Sequence, residues 1–139
     1  MSYGISQTPS SLTITLAAKT RDELYRDAAT AALEAAYGGA PPAGSSDGQT
    51  CPVQGAGLGE GDILRTFVTK CIEAARQAPG TLHAPRWFAF DEGRVTANLA
   101  LSTPKTPARS LDPALHGAFE TAGAFPDFRA TLAFSFPSR

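Results

Sequence analysis

An alanine-rich helix near the start of the sequence is the feature that most constrains the fold. Thr20 and Glu23 make the T-x-x-E pattern of a capping box, in which the threonine hydroxyl accepts a hydrogen bond from the backbone three residues later. Apolar residues, mostly alanines, then recur at helical spacing as far as Tyr37, where Gly38-Gly39 ends the run. Alanine has the highest helix propensity, and its small side chain lets a sheet approach closely. We therefore expect a helix over residues 20–37 that packs against a sheet.

Alternation of apolar and polar side chains predicts strands along much of the remaining chain. The predicted strands cover residues 12–16, 51–54, 87–90, 95–99, 116–125 and 127–136. The last four form two hairpins, and Pro52 favours an edge position for the second strand. An amphipathic segment predicts a second helix over residues 62–77, which Pro79-Gly80 ends. This order of elements favours the α+β class, with two helices packed on a mostly antiparallel β-sheet.

The sequence predicts one domain over residues 1–139, because a chain of 139 residues fits a single core. Its segment 38–50, GGAPPAGSSDGQT, has the composition of a flexible loop. Neither flank could form a core without the second helix, so we interpret this segment as an internal loop and not as a linker between domains. Residues 102–113, which are rich in proline and polar side chains, also predict a loop.

Charge and hydropathy exclude several classes of partner. Lys and Arg number 12 and Asp and Glu 13, giving a net charge of -1, so the sequence carries no strong nucleic-acid signature. A local basic patch is the alternative to an ordinary solvated surface, and it would use Arg86, Arg94, Lys105, Arg109 and Arg129. No apolar run approaches the roughly 20 residues that a membrane span needs. We therefore expect no membrane partner.

The first residues and the two cysteines bear on cellular location. Residues 1–11 have neither a basic start nor an apolar core, so we expect no secretory signal and a cytoplasmic protein. In that compartment Cys51 and Cys71 are expected to be reduced thiols that serve as small core residues.

No pattern in the sequence predicts a catalytic centre or a cofactor. The glycine-rich turn 55–61 precedes a helix, where phosphates can bind, but Glu60 stands where a dinucleotide fingerprint requires glycine. His83 and His116 have no ligand-type neighbour at helical spacing, so we expect no metal site. Trp87 lies in a phenylalanine-rich strand and is interpreted as a core residue, with ligand stacking as the alternative. We therefore expect a binding or assisting protein rather than an enzyme.

The order of elements and several short motifs resemble the archease family. Residues 20–29, TRDELYRDAA, resemble the family's T-x-x-E-aromatic helix start, which ends in a pair of alanines. The turn that begins at Gly57 resembles its glycine-then-acid turn, and residues 128–136 resemble its alternating, aromatic final strand. The resemblance covers nearly the whole chain. It implies the accessory role of archeases, which assist a metal- and GTP-dependent RNA ligase of tRNA splicing and repair without being ligases themselves.

The chain departs from the family where archeases bind a metal such as calcium. The family's opening Asp-His-Thr-Ala-Asp motif corresponds to residues 7–11, QTPSS, which contain no carboxylate. Its terminal Asp corresponds to Ser135, and its Lys-Ala-x-Thr-Tyr-His run corresponds to residues 117–122, which retain little beyond Ala118. Neutral hydroxyls are weak ligands for a hard dication. The resemblance thus implies a metal site that has degenerated at Ser11 and Ser135.

Two functions remain open at this point, with an enzyme built from scattered residues as a third possibility. The first is a diverged archease-like accessory protein that binds a protein partner of RNA-ligase type, without metal or cofactor. The second is small-ligand binding in a cleft between helices and sheet, lined near Trp87, Phe88 and Phe119. Gly57, Trp87 and Phe119 are the residues at which we expect binding contacts. Acids elsewhere, such as Glu120 or Asp127, could have rebuilt a metal site.

Overall fold

The computed structural model describes residues 3–9, 11–39, 49–102, 107–108, 112–113, 119–122 and 128–135. Its elements, in chain order, are β1 Tyr3–Gln7, β2 Ser11–Ala18, α1 Arg21–Tyr37, β3 Thr50–Ala56, α2 Glu60–Gln77, β4 Thr81–Asp91, β5 Arg94–Ser102, β6 Asp112–Pro113, β7 Phe119–Ala122 and β8 Phe128–Ser135. Residues 40–48, which make up most of the predicted loop 38–50, lie outside the described residues.

The strands form two antiparallel sheets. In the larger sheet β1 pairs with β2 and β2 with β8, while β7 and β6 pair with successive stretches of the other edge of β8. In the smaller sheet the order is β3-β5-β4. Two helices packed against antiparallel sheets confirm the predicted α+β class. The pairings of β4 with β5 and of β7 with β8 also confirm both predicted hairpins.

Both ends of α1 follow from the local sequence. Thr20 is the N-cap, and its Oγ1 accepts a hydrogen bond of 3.1 Å from the backbone N–H of Glu23. The Glu23 carboxylate accepts in turn from the N–H of Lys19 at 3.3 Å, one residue before the position that a capping box uses. Gly38 ends the helix in the left-handed region, with a φ of 79°. The prediction of a helix over residues 20–37 is confirmed.

Helix α1 contacts both sheets. It lies against β1 and β2 of the larger sheet, against β4 of the smaller sheet, and against α2. Every alanine of α1 is buried. Larger side chains at these positions would push the helix away from one of its neighbours, because protein interiors are close-packed. This packing explains the alanine content that the sequence displays.

Helix α2 begins at Glu60, before the predicted start, and packs on β3 and α1. Its apolar stripe includes Phe67 and Cys71, both fully buried. The close approach of α2 to β3 requires glycine at position 55, where a Cβ would lie 2.7 Å from the backbone nitrogen of Phe67. Strand β3 lies at an edge of the smaller sheet, as Pro52 predicted.

The sequence does not predict β1 or β6, and both are short strands at sheet edges. In β1, Tyr3 and Ile5 pack against the core while the residues between and after them are exposed. Strand β6 lies inside the predicted loop 102–113 and pairs Asp112 and Pro113 with the end of β8. The prediction of an uninterrupted loop is therefore wrong at these two residues.

Candidate functional site

The sequence gives five candidate site residues, Ser11, Gly57, Trp87, Phe119 and Ser135, and the structure brings two of them together. Ser11 and Ser135 are Cα partners in the antiparallel pairing of β2 with β8. Gly57 lies in the turn between β3 and α2, Trp87 lies within β4, and Phe119 is the first residue of β7. Trp87 and Phe119 therefore belong to different sheets, and no described strand pairing joins them.

We call Thr8, Ser11 and Ser135 the serine end of the larger sheet. The turn from β1 to β2 is closed here, because the N–H of Thr8 donates to the Ser11 carbonyl at 2.8 Å and the N–H of Ser11 donates to Thr8 Oγ1 at 3.0 Å. The hydroxyl oxygens of Thr8 and Ser11 lie 2.8 Å apart and share a hydrogen bond. The Ser11 hydroxyl is thus engaged within its own turn.

A third strand reaches the serine end. Asp112 of β6 is the Cα partner of Ser135, on the edge of β8 opposite to Ser11. Across the three strands the backbone positions therefore run Ser11, Ser135, Asp112. Asp127, one of the two acids considered as replacement ligands, lies outside the described residues.

The residues at the serine end do not fit the divalent-metal site that the archease resemblance implies. Calcium prefers six to eight oxygen ligands, several of them carboxylates. Ser11 and Ser135 supply neutral hydroxyls, and Asp112, whose backbone position adjoins Ser135, adds one carboxylate. Glu120, the other acid considered, pairs with Thr131, away from the end of β8. Among the residues that the structure describes, no group of three or more His, Cys, Asp or Glu could hold a metal ion.

A cleft of about 550 Å³ lies between β3 and α2. It is lined by Cys51, Pro52, Val53, Gln54, Lys70, Glu73, Ala74, Gln77, Ala78 and Pro79. Burial raises the pKa of the half-buried Cys51 thiol, so this group stays protonated near neutral pH. Lys70 and Glu73 neutralise each other in an ion pair of 3.6 Å. The cleft thus offers small apolar and neutral polar groups.

Trp87 and Phe88, near which with Phe119 the sequence led us to expect a cleft, do not line this one. Trp87 and Phe88 lie on opposite faces of β4. Phe88 faces inward, with its ring centroid 5.9 Å from that of Phe67. Trp87 is 47% exposed, so its interpretation as a core residue is wrong. Alternation along a strand gives the inner face to Phe88 and Phe90 and leaves Trp87 outside.

His83 and Ser102 form a contact that the sequence does not reveal. His83 Nε2 lies 2.6 Å from Ser102 Oγ, across the β4–β5 hairpin. The serine hydroxyl also donates to the Thr81 carbonyl at 3.4 Å. Ser102 is only 3% exposed. The pair therefore joins the two strands of the hairpin at a buried position.

A phenol and a carboxylate join β1 to α1. The Tyr3 hydroxyl donates to Glu34 Oε2 at 2.7 Å. Burial raises the pKa of Tyr3 to about 12, and the negative charges of Glu34 and Asp27 add to the rise. Tyr3 is therefore neutral at physiological pH and acts as a hydrogen-bond donor.

The residues of the local basic patch considered from the sequence lie in three different strands or outside the described residues. Arg94 begins β5 of the smaller sheet, and Arg129 lies in β8 of the larger sheet. Arg86 lies in β4, whereas Lys105 and Arg109 fall outside the described residues.

No protein-family model matches the chain. A search of curated protein sequences finds no significant match either. In the described part of the chain, no helix is both long and apolar enough to cross a membrane.

Proposed function

We propose that this chain is a diverged archease-like accessory protein, which binds a protein partner of RNA-ligase type in the cytoplasm and performs no catalysis itself. The observation that carries the proposal is the pairing of Ser11 with Ser135 across β2 and β8. These are the two positions at which the family resemblance expects metal-binding carboxylates.

The pairing supports the proposal because the two positions are far apart in the sequence. The resemblance assigns the ligands of one metal ion to the start of β2 and the end of β8, and ligands of one ion must lie close together. A register slip of a single residue would put the two positions on opposite faces of the sheet. Instead, Ser11 lies directly opposite Ser135.

Loss of the two carboxylates leaves the scaffold around them intact. Leu12 and Phe134, the next pair in the β2–β8 register, are both fully buried and hold this end of the sheet on the core. Ser11 precedes Leu12 and lies on the other face of β2, so a substitution there opens no cavity in the core. We therefore expect partner binding to be independent of divalent cations.

Restoring the carboxylates tests the archease-like arrangement. We expect millimolar calcium to leave the melting temperature of the wild type unchanged and to raise that of the S11D/S135D variant. A ligand that binds only the folded state stabilises it by RT ln(1 + [L]/Kd), about 2.7 kcal/mol at a hundred times Kd. The measurement is a thermal unfolding curve with and without calcium.

The matched control is the T13D/A133D variant. Thr13 and Ala133 are also Cα partners in β2 and β8, on the same face as Ser11, and the double substitution adds the same two charges. A calcium shift in the wild type, an equal shift in both double variants, or no shift in S11D/S135D would contradict the proposed arrangement.

The partner itself is tested by affinity purification of the tagged protein from its native host. We expect an RNA-processing protein to be recovered above a mock control, in equal amount with and without a metal chelator. Failure to recover any such protein would count against the accessory role. Recovery that requires a divalent cation would contradict the degenerate metal site.

A second function is favoured by the cleft between β3 and α2. Its volume of about 550 Å³ lies within the range of small-molecule sites. This hypothesis alone predicts that a metabolite raises the melting temperature in a thermal-shift screen. Replacement of the cleft residue Ala74 by Trp would fill the space and is expected to abolish such a shift. If no metabolite shifts the wild type, the hypothesis fails.

A further inference from the structure

Strand β3 forms one edge of the smaller sheet within the described residues. It pairs with β5 in an unbroken register from Thr50 to Ala56. The opposite edge of this sheet, β4, is irregular, because its register shifts on both sides of Pro85. Unpaired backbone groups on a regular edge are a template for a further strand. The β3 edge is therefore the place where the smaller sheet can accept another chain.

Alternate residues of β3 direct their backbone groups to this free edge. In an antiparallel pair, every second residue exchanges hydrogen bonds with the neighbouring strand, and the residues between them point the other way. The N–H of Leu101 donates to the Gln49 carbonyl at 3.0 Å, one position before Thr50 in the same register. Odd-numbered residues therefore bond to β5. The even-numbered residues, whose backbone groups point outward, are all exposed: Thr50, Pro52, Gln54 and Ala56.

The cleft of about 550 Å³ between β3 and α2 follows the same edge. Four consecutive residues of β3, Cys51 to Gln54, line it. Because successive side chains of a strand point to opposite faces, consecutive residues can line one space only along the edge of the strand. The other wall consists of residues at helical spacing on one side of α2: Lys70, Glu73, Ala74 and Gln77. The cleft is thus a groove between an edge strand and a helix.

The charge and the hydrogen-bonding groups of the groove complement an uncharged extended peptide. Lys70 and Glu73 are the charged side chains among the described lining residues, and they pair with each other at 3.6 Å. A charged ligand side chain would lose water here without gaining a free opposite charge. The outward backbone groups of β3 recur every second residue, about 6.6 Å apart, which is the repeat of another extended chain.

Pro52 limits what can pair with this edge. It has no N–H, so one donor is missing, while its carbonyl and both backbone groups of Gln54 remain. A proline on an edge prevents long sheets from joining. A second copy of the chain would have to bring its own β3 together with the α2 that packs on it. A single extended segment requires only the width of one strand.

We propose that the groove binds a short, extended segment of another protein, which adds a strand to the edge of β3 and places small uncharged side chains against α2. The inference rests on the cleft of the second proposed function, to which it assigns a peptide instead of a metabolite. It does not depend on the archease-like assignment. Backbone hydrogen bonds supply the affinity in this mode of binding, and the side chains that enter the groove supply the specificity.

The experiment titrates the full chain, up to about 1 mM, into labelled peptides of seven residues, the length of β3. The peptides alternate threonine with alanine, valine or leucine, and anisotropy reports affinity. Each peptide has two methylated versions, one for each set of alternate backbone nitrogens. The N–H groups of an extended chain point alternately to its two edges. We therefore expect one version to bind at least about ten-fold more weakly and the other to bind like the unmodified peptide.

Cys51 reports where the peptide binds. It lines the groove, whereas Cys71, the other cysteine of the chain, is fully buried. Alkylation of the native protein, followed by mass spectrometry, therefore measures the accessibility of Cys51. We expect the unmodified peptide to slow this reaction and the weakly binding methylated version to leave its rate unchanged.

Two variants at Gln54 test the strand pairing. Gln54→Pro removes the N–H that points outward, while the odd-numbered residues keep their bonds to β5, and we expect at least about ten-fold weaker binding. Gln54→Ala is the matched control. It keeps the N–H and loses only the side chain, whose Nε2 donates to Thr96 Oγ1 at 3.4 Å, so we expect unchanged affinity. Melting temperatures check that both variants are folded.

If Gln54→Pro fails to fold, the methylated peptides and the protection of Cys51 decide the question with the wild type. The proposal is overturned if no peptide binds, if the two methylated versions bind equally, or if a bound peptide leaves Cys51 unprotected. Equal losses in Gln54→Pro and Gln54→Ala would also overturn it. A metabolite that raises the melting temperature while every peptide fails would leave the second proposed function standing without this inference. A dimer of the chain that the peptides dissociate would assign the edge to a second copy instead.

Discussion

The serine end and the contacts of Arg21 with Phe90 and of Arg26 with Phe88, called here the arginine–phenylalanine stack, differ in how their polar groups are supported. At the serine end, the hydroxyls of Ser11 and Thr8 bond to each other within an exposed turn. In the stack, each guanidinium lies on a phenylalanine ring that packs in turn on Tyr25 or Phe67 inside the protein. Residues such as Ser11, whose polar group bonds within an exposed turn, can be exchanged at little cost in stability. Arg21 and Arg26 are positioned by rings that pack on the core, so their geometry depends on intact core packing.

The largest effect is expected from Phe67→Ala, which removes the buried ring beneath Phe88. Phe67 is fully buried and its ring also meets that of Tyr25 at 5.5 Å, edge to face. We expect a loss of about 3–5 kcal/mol in the free energy of unfolding, because the substitution loses transfer free energy and leaves a cavity. Urea unfolding monitored by circular dichroism measures it.

Phe67→Leu is the matched control, since it retains most of the apolar volume and is expected to cost clearly less. A loss below about 1 kcal/mol for Phe67→Ala would mean that the aromatic rings are not a supporting layer. The serine end and the arginine–phenylalanine stack would then not differ in how far core packing supports them.

Gly57→Ala is expected to cost about 1–3 kcal/mol, because a Cβ at this position would lie 2.5 Å from Cβ of Asp62. The N–H of Gly57 also donates to the Gly93 carbonyl at 3.1 Å and so ties the start of α2 to the β4–β5 hairpin. Gly57 thus has a packing role between α2 and the β4–β5 hairpin, whose strand β4 carries the phenylalanines of the stack. Chemical denaturation of the variant measures the cost.

Gly59→Ser provides the control in the same turn. A side chain at Gly59 meets nothing within 4 Å, and a serine hydroxyl can cap α2, whose N-cap has no side-chain hydrogen bond. We expect unchanged or slightly higher stability. Equal losses in both variants would show that the turn tolerates no side chain, and the specific contact with Asp62 would then not be the cause.

The bond between Tyr3 and Glu34 predicts a pH dependence on the side of the larger sheet. The pKa of Tyr3 rises from 10.0 to about 12 in the folded chain, so folding favours the neutral phenol. Its contribution is complete below pH 10.0 and is lost as pH rises towards about 12. We expect Tyr3→Phe to cost about 1 kcal/mol near neutral pH, with the difference from the wild type shrinking across this range. Urea unfolding of both proteins at a series of pH values measures the difference, and a constant difference would contradict the assignment.

The parts of the fold that sequence predicts are the parts that local interactions determine. The capping pattern at Thr20 and the glycine at Gly38 determine both ends of α1, and alternation with short turns determines the hairpins. Alternation cannot say which face of β4 lies inward, because Trp87 and Phe88 are both aromatic. The position of the helices decides it, and that position is a tertiary property.

The candidate sites depend on contacts between distant segments for the same reason. Ser11 and Ser135 meet only because β2 pairs with β8, and the arginine–phenylalanine stack forms only where α1 crosses β4. The resemblance to the archease family could indicate Ser11 and Ser135, since each position corresponds to a separate motif of the family. No local pattern marks Arg21 or Arg26, since α1 carries them among acidic and alanine residues.

The smallest effect is expected from Ser11→Ala, at about 0.5 kcal/mol or less. The substitution removes the hydroxyl that bonds to Thr8, but the two hydrogen bonds that backbone N–H groups donate remain, from Thr8 N–H to the Ser11 carbonyl and from Ser11 N–H to Thr8 Oγ1. Denaturant unfolding measures it, with Trp87→Ala as a control at an exposed residue of the other region. A loss of 2 kcal/mol or more, well above the usual cost of a surface substitution, would show that the Ser11 hydroxyl stabilises the β2–β8 pairing. In that case the serine end would be a structural replacement for the carboxylates and not a site free to change.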